Sequence, residues 1–320
     1  MKIKTVLCPI DFSPLSEKEL GLATQICERF DAQMIVHHNI DTVPPIYLAN
    51  AWMYSETHMY PEEEKEAIAS KTLESILEKL PKSIKREGKI TFGSLDESIL
   101  FLVEKLPADI IVMGTHGASK PGHASGTDRV LTQSPCPVLT TCDPGVDTLF
   151  AKSTTDACSR QPVLVPMDFS QHSLGALEYG LSLMDELPLE LHLLHVEAPM
   201  ALDDLKALGH FLDFEDQKHR RMDASLDRLK MLIPTNYLSR VKFEVRMGSV
   251  VEEIIAHAAS VQAVFIIMGA HNKNVIDHLI FGAHSRGVLH KSPCPVWLVP
   301  KKESHAQSWV EVAAGRGTGG

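Results

Sequence analysis

Cysteine is scarce and unpatterned in this chain, with six residues in 320 and no CxxC pair. That spacing offers neither a zinc framework nor the disulfide scaffold of a small secreted domain, and it fits a reducing compartment. The expected localisation is therefore cytoplasmic. No uninterrupted apolar run is long enough to span a bilayer, so no membrane partner is expected. The opening residues, Met1 to Asp11, hold an apolar segment too short for a signal peptide and carry no cleavage site. Lysine and arginine number 31 against 41 acidic residues and form no block; the formal net charge of -10 argues against a nucleic-acid partner. There is also no Gly-x-x-x-x-Gly-Lys-Ser/Thr loop and no Ser/His/Asp set in a triad-like context, so fast hydrolytic or phosphoryl-transfer chemistry has no visible machinery. At most, slow ATP hydrolysis is open to it.

What is present is a duplication. Cys8-Pro9-Ile10-Asp11-Phe12-Ser13 returns as Val165-Pro166-Met167-Asp168-Phe169-Ser170, and His38 as His195, each shifted by 157. Phe92-Gly93-Ser94 returns as Met247-Gly248-Ser249, and Gly114 as Gly269, shifted by 155. Ser134-Pro135-Cys136-Pro137-Val138 returns as Ser292-Pro293-Cys294-Pro295-Val296, shifted by 158. One unit has been copied end to end with small changes in loop length. The composition, 44% hydrophobic and 22% charged, fits two ordinary soluble domains that each bury a core. We place the domains at 1–143 and 162–301, with a polar Pro-Gly-bearing linker at 144–161 and a Gly-rich frayed tail at 302–320.

Within the first copy, Ile3 to Pro9 is apolar without alternation, as a parallel strand covered on both faces should be. Ser13 or Ser16 is positioned to cap a helix running to about Phe30, with Leu20, Ala23, Ile26 and Cys27 on one face. A strand at 33–38 follows, with His37 and His38 on opposite faces. A long connection over 41–60 gathers Tyr47, Tyr54, Tyr60 and Trp52; it reads as a lid, a partner surface or a loop packed over the neighbouring half. Pro61 opens a helix with the stripe Ile68, Leu73, Ile76, Leu77 and Leu80. Strands at 89–92, 109–113 and 138–141 and a helix at 96–106 complete the unit. The second copy repeats this order, with strands near 163–166, 190–195, 241–246, 264–268 and 296–300. Its long helix at 203–232 carries Met222, Leu226, Leu229 and Ile233. Strand and helix alternate five times in each half, so right-handed crossovers give an α/β fold, a doubly wound parallel sheet with helices on both faces.

Ligands of such sheets lie beyond the carboxyl ends of the strands, at the switch point. Asp11 ends the first strand there and Gly114 the fourth. The stretch from Val112 to Ser119 is a buried strand emptying into a glycine-bearing loop, followed by Gly126-Thr127 at a helix start, which suits a phosphate. A carboxylate beside it reaches a ribose hydroxyl or a metal ion that accompanies phosphates. Each feature has a plainer reading. The glycines end strands tightly, Asp11 and Asp168 cap turns, and Cys136 and Cys294 are small buried apolar residues.

The pattern Pro-x-Asp-x-Ser after the first strand, Met-Gly-Thr-His-Gly after the fourth, and Ser-Pro-Cys-Pro-Val before the fifth resembles the universal stress protein family in its tandem form. The resemblance covers nearly the whole length apart from linker and tail. It implies strand order 3-2-1-4-5, a homodimer or intramolecular pseudo-dimer through the last strands, and a cytoplasmic stress-response role. Some members bind ATP through Gly-x2-Gly-x9-Gly-Ser/Thr; others lack the motif and bind no nucleotide. Here Gly114, Gly117, Gly126 and Thr127 give Gly-x2-Gly-x8-Gly-Thr, one residue short. Alignment backward from Ser134 instead puts Ala124-Ser125 at the Gly-Ser position. In the second copy Asn272 replaces the second glycine and Ala283 the Ser/Thr, although Asn still adopts a left-handed conformation. The expected ligand is an adenine nucleotide, ATP with its Mg²⁺, in the first copy. Pro9, Ile10, Asp11, Met113, Gly114, His116, Gly117, Gly126 and Thr127 would contact it, and no residue is assigned as a metal ligand or a catalytic group. The alternative is an interaction module of the same fold that binds no nucleotide.

Overall fold

A computed structural model describes residues 2–41, 61–114, 126–141, 160–199, 211–270 and 283–300. The 41–60 connection beyond residue 41, residues 144–159 of the linker, Asn272 and the tail lie outside the described residues, as do His116 and Gly117, while Gln161, the last linker residue, already opens a strand. The chain divides into two compact units between Thr154 and Thr155. The domain limits given above remain our proposal.

The first unit runs β1 (Thr5–Ile10), α1 (Ser16–Phe30), β2 (Gln33–Ile40), α2 (Glu62–Lys79), β3 (Arg86–Phe92), α3 (Leu95–Lys105), β4 (Ile110–Gly114), α4 (Gly126–Gln133) and β5 (Val138–Thr141). Its strands lie in the order β3-β2-β1-β4-β5, and every pairing is parallel. The second unit runs β6 (Gln161–Pro166), α5 (Gln171–Met184), β7 (Leu189–Glu197), α6 (Phe211–Met231), β8 (Val241–Met247), α7 (Val250–Ser260), β9 (Phe265–Gly269), α8 (Ala283–Lys291) and β10 (Val296–Val299). It repeats the order as β8-β7-β6-β9-β10, again all parallel. Both units thus have the expected doubly wound order. No helix among the described residues is long and apolar enough to cross a membrane.

The central strands are buried because helices cover both faces: Val6, Leu7, Cys8, Ile110, Ile111 and Val112 are all within 1% of full burial. In the second unit Trp297 of β10 fills the core, with Tyr179 and Phe265 edge-on at 5.3 and 5.4 Å between ring centres. The Ser-Pro-Cys-Pro repeats are strand entries. The Ser134 hydroxyl donates to the Cys136 carbonyl at 2.7 Å and accepts from its N–H at 3.3 Å, and Ser292 does the same for Cys294 at 2.5 and 3.3 Å. Both cysteines are buried thiols outside any disulfide.

Three local expectations need correction. The N-cap of α1 is Leu15 and makes no side-chain cap hydrogen bond. Pro14 holds the chain in a turn there, whereas in the second copy Ser170 caps α5 by accepting from the Ser173 N–H at 3.2 Å. On α2 the buried residues are Ala69 and Leu73, and Ile68 is 55% exposed. Leu73 and Leu77 set the helix phase by packing into the space left by Gly88, where a Cβ would come within 2.9 and 3.0 Å of them. On α1, Leu20 is only half-buried, while Ser16 and Glu19 join Leu22, Ala23, Ile26 and Cys27 inside.

Candidate functional site

β1 pairs with β2 along its whole length but with β4 only at Val6–Ile110 and Leu7–Ile111. Beyond those pairs the strands part. Cys8 to Ile10 and Val112 to Gly114 then edge a split at the carboxyl end of the sheet, which is the switch point of the order β2-β1-β4. Pro9, Ile10 and Met113 are buried along it, Gly114 is half-buried and Asp11 stands exposed at its rim. Gly126 begins α4 and Thr127 is 5% exposed in its first turn. Six of the nine residues expected at the ligand are therefore described as parts of β4, α4 and the β1 edge. Asp11 makes a seventh, and His116 and Gly117 lie outside the described residues.

At the rim, Asp11 Oδ1 accepts from the Ser13 N–H and the Ser16 hydroxyl, both at 2.9 Å. This is an Asx turn, the plainer reading of that residue. Asp168 makes the same bond to the Ser170 N–H at 2.9 Å. The next residue in each copy, Phe12 or Phe169, holds a left-handed backbone with φ of 61° or 60°. For a bulky residue this conformation costs about 1–3 kcal/mol and persists only where its surroundings hold it. They do: Phe12 stacks on His38 at 3.8 Å and 19°, and His38 Nδ1 meets the Ile10 carbonyl at 3.0 Å. Phe169 lies 4.7 Å from His195, whose Nδ1 meets the Met167 carbonyl at 2.7 Å. The repeated histidine thus ties the end of each second strand to the end of the first.

Glu19 is the residue that the sequence reading missed. It is 7% exposed on the inner face of α1, and burial, then the nearby Asp11 charge, push its carboxyl up to about 7. Hydrogen bonds from the Gly114 N–H and from Ser16 work against that rise. A buried acid therefore already holds the strand-end amide that a phosphate would use. The spacing Ser16, Glu19, Ala23, Ile26, Cys27 carries the signal, since it follows the helical period with an acid inside the stripe. The corresponding residue of the second copy, by the 157 shift, is Ala176, fully buried.

In the second unit β6 and β9 part after the same two pairs, Val163–Phe265 and Leu164–Ile266. A Cβ on Gly269 would meet the His172 carbonyl oxygen at 2.4 Å, so there the glycine serves close packing of α5 on β9. At the end of β7, Glu197 accepts from Arg221 at 2.6 Å and Ser225 at 2.7 Å, with His195 Nε2 at 3.3 Å. These bonds and charges overcome the burial that would otherwise raise its carboxyl, and hold it below the usual glutamate range. Arg228 lies over the Phe169 ring at 3.9 Å. A shallow groove formed by Glu74, Leu77, Glu78, Ile84 and Arg86 sits at the amino end of β3, away from the switch point, and has no bearing on this site.

The sequence profile of the universal stress protein family matches residues 2–141 and 159–300. Universal stress protein A homolog 1 of Coxiella burnetii is 28% identical over 145 residues, 45% of this chain and 94% of that protein. Universal stress protein MJ0531 of Methanocaldococcus jannaschii is 24% identical over 143 residues, 44% of this chain and 84% of that protein. The crystal structure of a universal stress protein from Archaeoglobus fulgidus superposes with a TM-score of 0.62 at 22% identity, covering 95% of this chain and 98% of that one. With both repeats matched, the chain belongs to the universal stress protein family, in its tandem two-domain form.

Proposed function

We propose that this chain is a cytoplasmic stress-response module that binds an adenine nucleotide, ATP with its Mg²⁺, in the first unit and keeps it as a conformational signal. The observation that carries this reading is the split between β1 and β4, edged by Asp11 and Gly114; β6 and β9 part after the same two pairs, but there the end of β9 at Gly269 is packed against the α5 backbone at His172. Backbone N–H groups from Gly114 to Gly117 and at Gly126-Thr127 would hold the phosphates, with the start of α4 adding its positive end. Asp11 would face the ribose, Met113 and the end of β2 the base, and Mg²⁺ would enter on the phosphates. Glu19 sets the terms. As a carboxylate it opposes a phosphate at Gly114; as an acid it does not. Binding should therefore strengthen by up to about tenfold from pH 8 to pH 6, the change expected when one proton is taken up by a group titrating near 7.

Isothermal titration with ATP-Mg²⁺ at both pH values tests this on three proteins. The wild type should give heat with the stated pH dependence. Glu19→Ala, which installs the residue of the second copy, should bind more tightly and lose that dependence, and Gly117→Glu should not bind. The second reading, an interaction module without nucleotide, is favoured by the hold of Glu19 on the Gly114 amide. Silence from all three proteins at both pH values would leave that reading standing and remove the first.

A further inference from the structure

His257 sits in the middle of the buried face of α7, between Ile254 and Ala258, and is 5% exposed. Both its ring nitrogens are buried without a hydrogen-bond partner among the described residues. Its ring faces that of His192 on β7, with centres 5.8 Å apart at 55°. His192 Nε2 in turn meets Glu190 Oε1 at 3.2 Å. The first copy has apolar residues at both places: Ile35, by the 157 shift, and Leu102, by the 155 shift, are 3% and 7% exposed. A helix–strand contact that is aliphatic in one repeat is a facing pair of imidazoles in the other. No third ligand joins them, since among the described residues no three His, Cys, Asp or Glu side chains are placed to hold a metal ion.

We propose that His192 and His257 form an acid-sensitive latch: neutral, the two rings pack α7 onto β7; protonated, they loosen it. Two adjacent imidazolium ions would repel across a largely buried contact, and among the described residues His257 has no acceptor with which to satisfy the added proton. The surrounding charges are already engaged. On β8, Arg246 binds Glu244 at 3.3 Å and reaches Glu253 of α7 at 3.4 Å, and Lys242 lies 4.0 Å from Glu190. The helix α8, which packs along α7, buries Val288 and Leu289 against the unit and carries His284, Arg286, His290 and Lys291 exposed.

The sign follows from the direction of both shifts. Burial holds His257 below the ordinary histidine value, helped by Arg246 and His192 and opposed by Glu244 and Glu253. Burial also lowers His192, against Glu190 and Glu244. The native contact therefore binds fewer protons than the unlatched chain. It is fully stable above about pH 6.5 and weakens as pH falls below that, as protons pull the helix toward its released form. Because His192 keeps Glu190 beside it, His257 is the side that gives way.

Hydrogen exchange on the full chain at pH 7 and pH 5, corrected for intrinsic exchange rates, reads the latch directly. Amides of α7 should lose protection relative to those of α5 in the same unit, by about tenfold or more on acidification. A chain carrying His192→Ile and His257→Leu, the residues of the first copy, should hold α7 equally well at both values. Parallel behaviour of α5 and α7 in the wild type, or the same acid loss in the double variant, would overturn the proposal. An NMR titration of the wild-type histidines keeps the test independent of how the variant folds: a His257 ring that titrates at or above the ordinary value near 6.5 would sink it.

Discussion

Glu19 concentrates the conflict between folding and ligand binding in one side chain. Its repeat counterpart Ala176 shows that the helix packs well with a methyl group at that place, so the carboxyl is not required by the fold. With the folded carboxyl near 7 and the unfolded one near 4.5, the native state binds the proton more tightly than the unfolded chain. Stability is thus fullest below about pH 4.5 and falls as pH rises through 7, by about 3 kcal/mol at the alkaline end. Glu19→Gln keeps the shape and an acceptor for the Gly114 N–H but removes the charge. It should raise the urea midpoint at pH 8, by a free energy on the order of 2–3 kcal/mol, and change little at pH 5. An equal effect at both values would mean that packing, not charge, sets the cost.

Among the elements, the contact of α5 with β9 shows what a strand-end glycine does here. A methyl on Gly269 would press on His172 backbone atoms at 2.4 and 2.5 Å, which cannot swing aside as a side chain can. Gly269→Ala should cost about 1–3 kcal/mol by thermal or urea unfolding. Gly175→Ala, on the same α5 with nothing within 4 Å of the added carbon, should instead stabilise by about 0.5–1 kcal/mol. Comparable losses from both would show that α5 is not seated on Gly269 as described. The strand order could be read from the residues because β1 and β4 are apolar on both faces and recur at a fixed shift. The start of β3 could not: Arg86 and Glu87 are polar because they lie on an edge strand, where Arg86 donates to the carbonyls of Pro81 and Ile84 and Glu87 pairs with Lys89. The phase of α2 was hidden for a related reason, since Gly88 on that strand draws Leu73 and Leu77 inward and turns Ile68 out. Glu19 escaped because a search for apolar stripes passes over an acid that keeps the same period.

Across the whole chain, duplication left two equal scaffolds with different side chains at matched places. At one matched helix–helix contact, the first unit holds the Asp96 carboxylate with Arg129 at 2.8 Å and with Ser94, against a burial that would raise it. The second puts Val251 against Gly287, where a Cβ would come within 2.9 Å of it. At another, Ile35 and Leu102 become His192 and His257. At the switch points, the first unit sets one titratable acid on the Gly114 amide, while the second closes α5 onto Gly269. Under the nucleotide reading a proton would clear the first, whereas clearing the second would mean moving the α5 backbone away from Gly269. Under the nucleotide reading, then, the chain should take up one adenine nucleotide, and equilibrium dialysis with labelled ATP at pH 6 should saturate at one per chain. Gly117→Glu should bring that value to zero, and Asn272→Gly, which restores the second glycine in the other copy, should leave it at one. Two nucleotides per wild-type chain would show that the second edge opens after all, and that the packing of α5 on Gly269 does not decide between the copies.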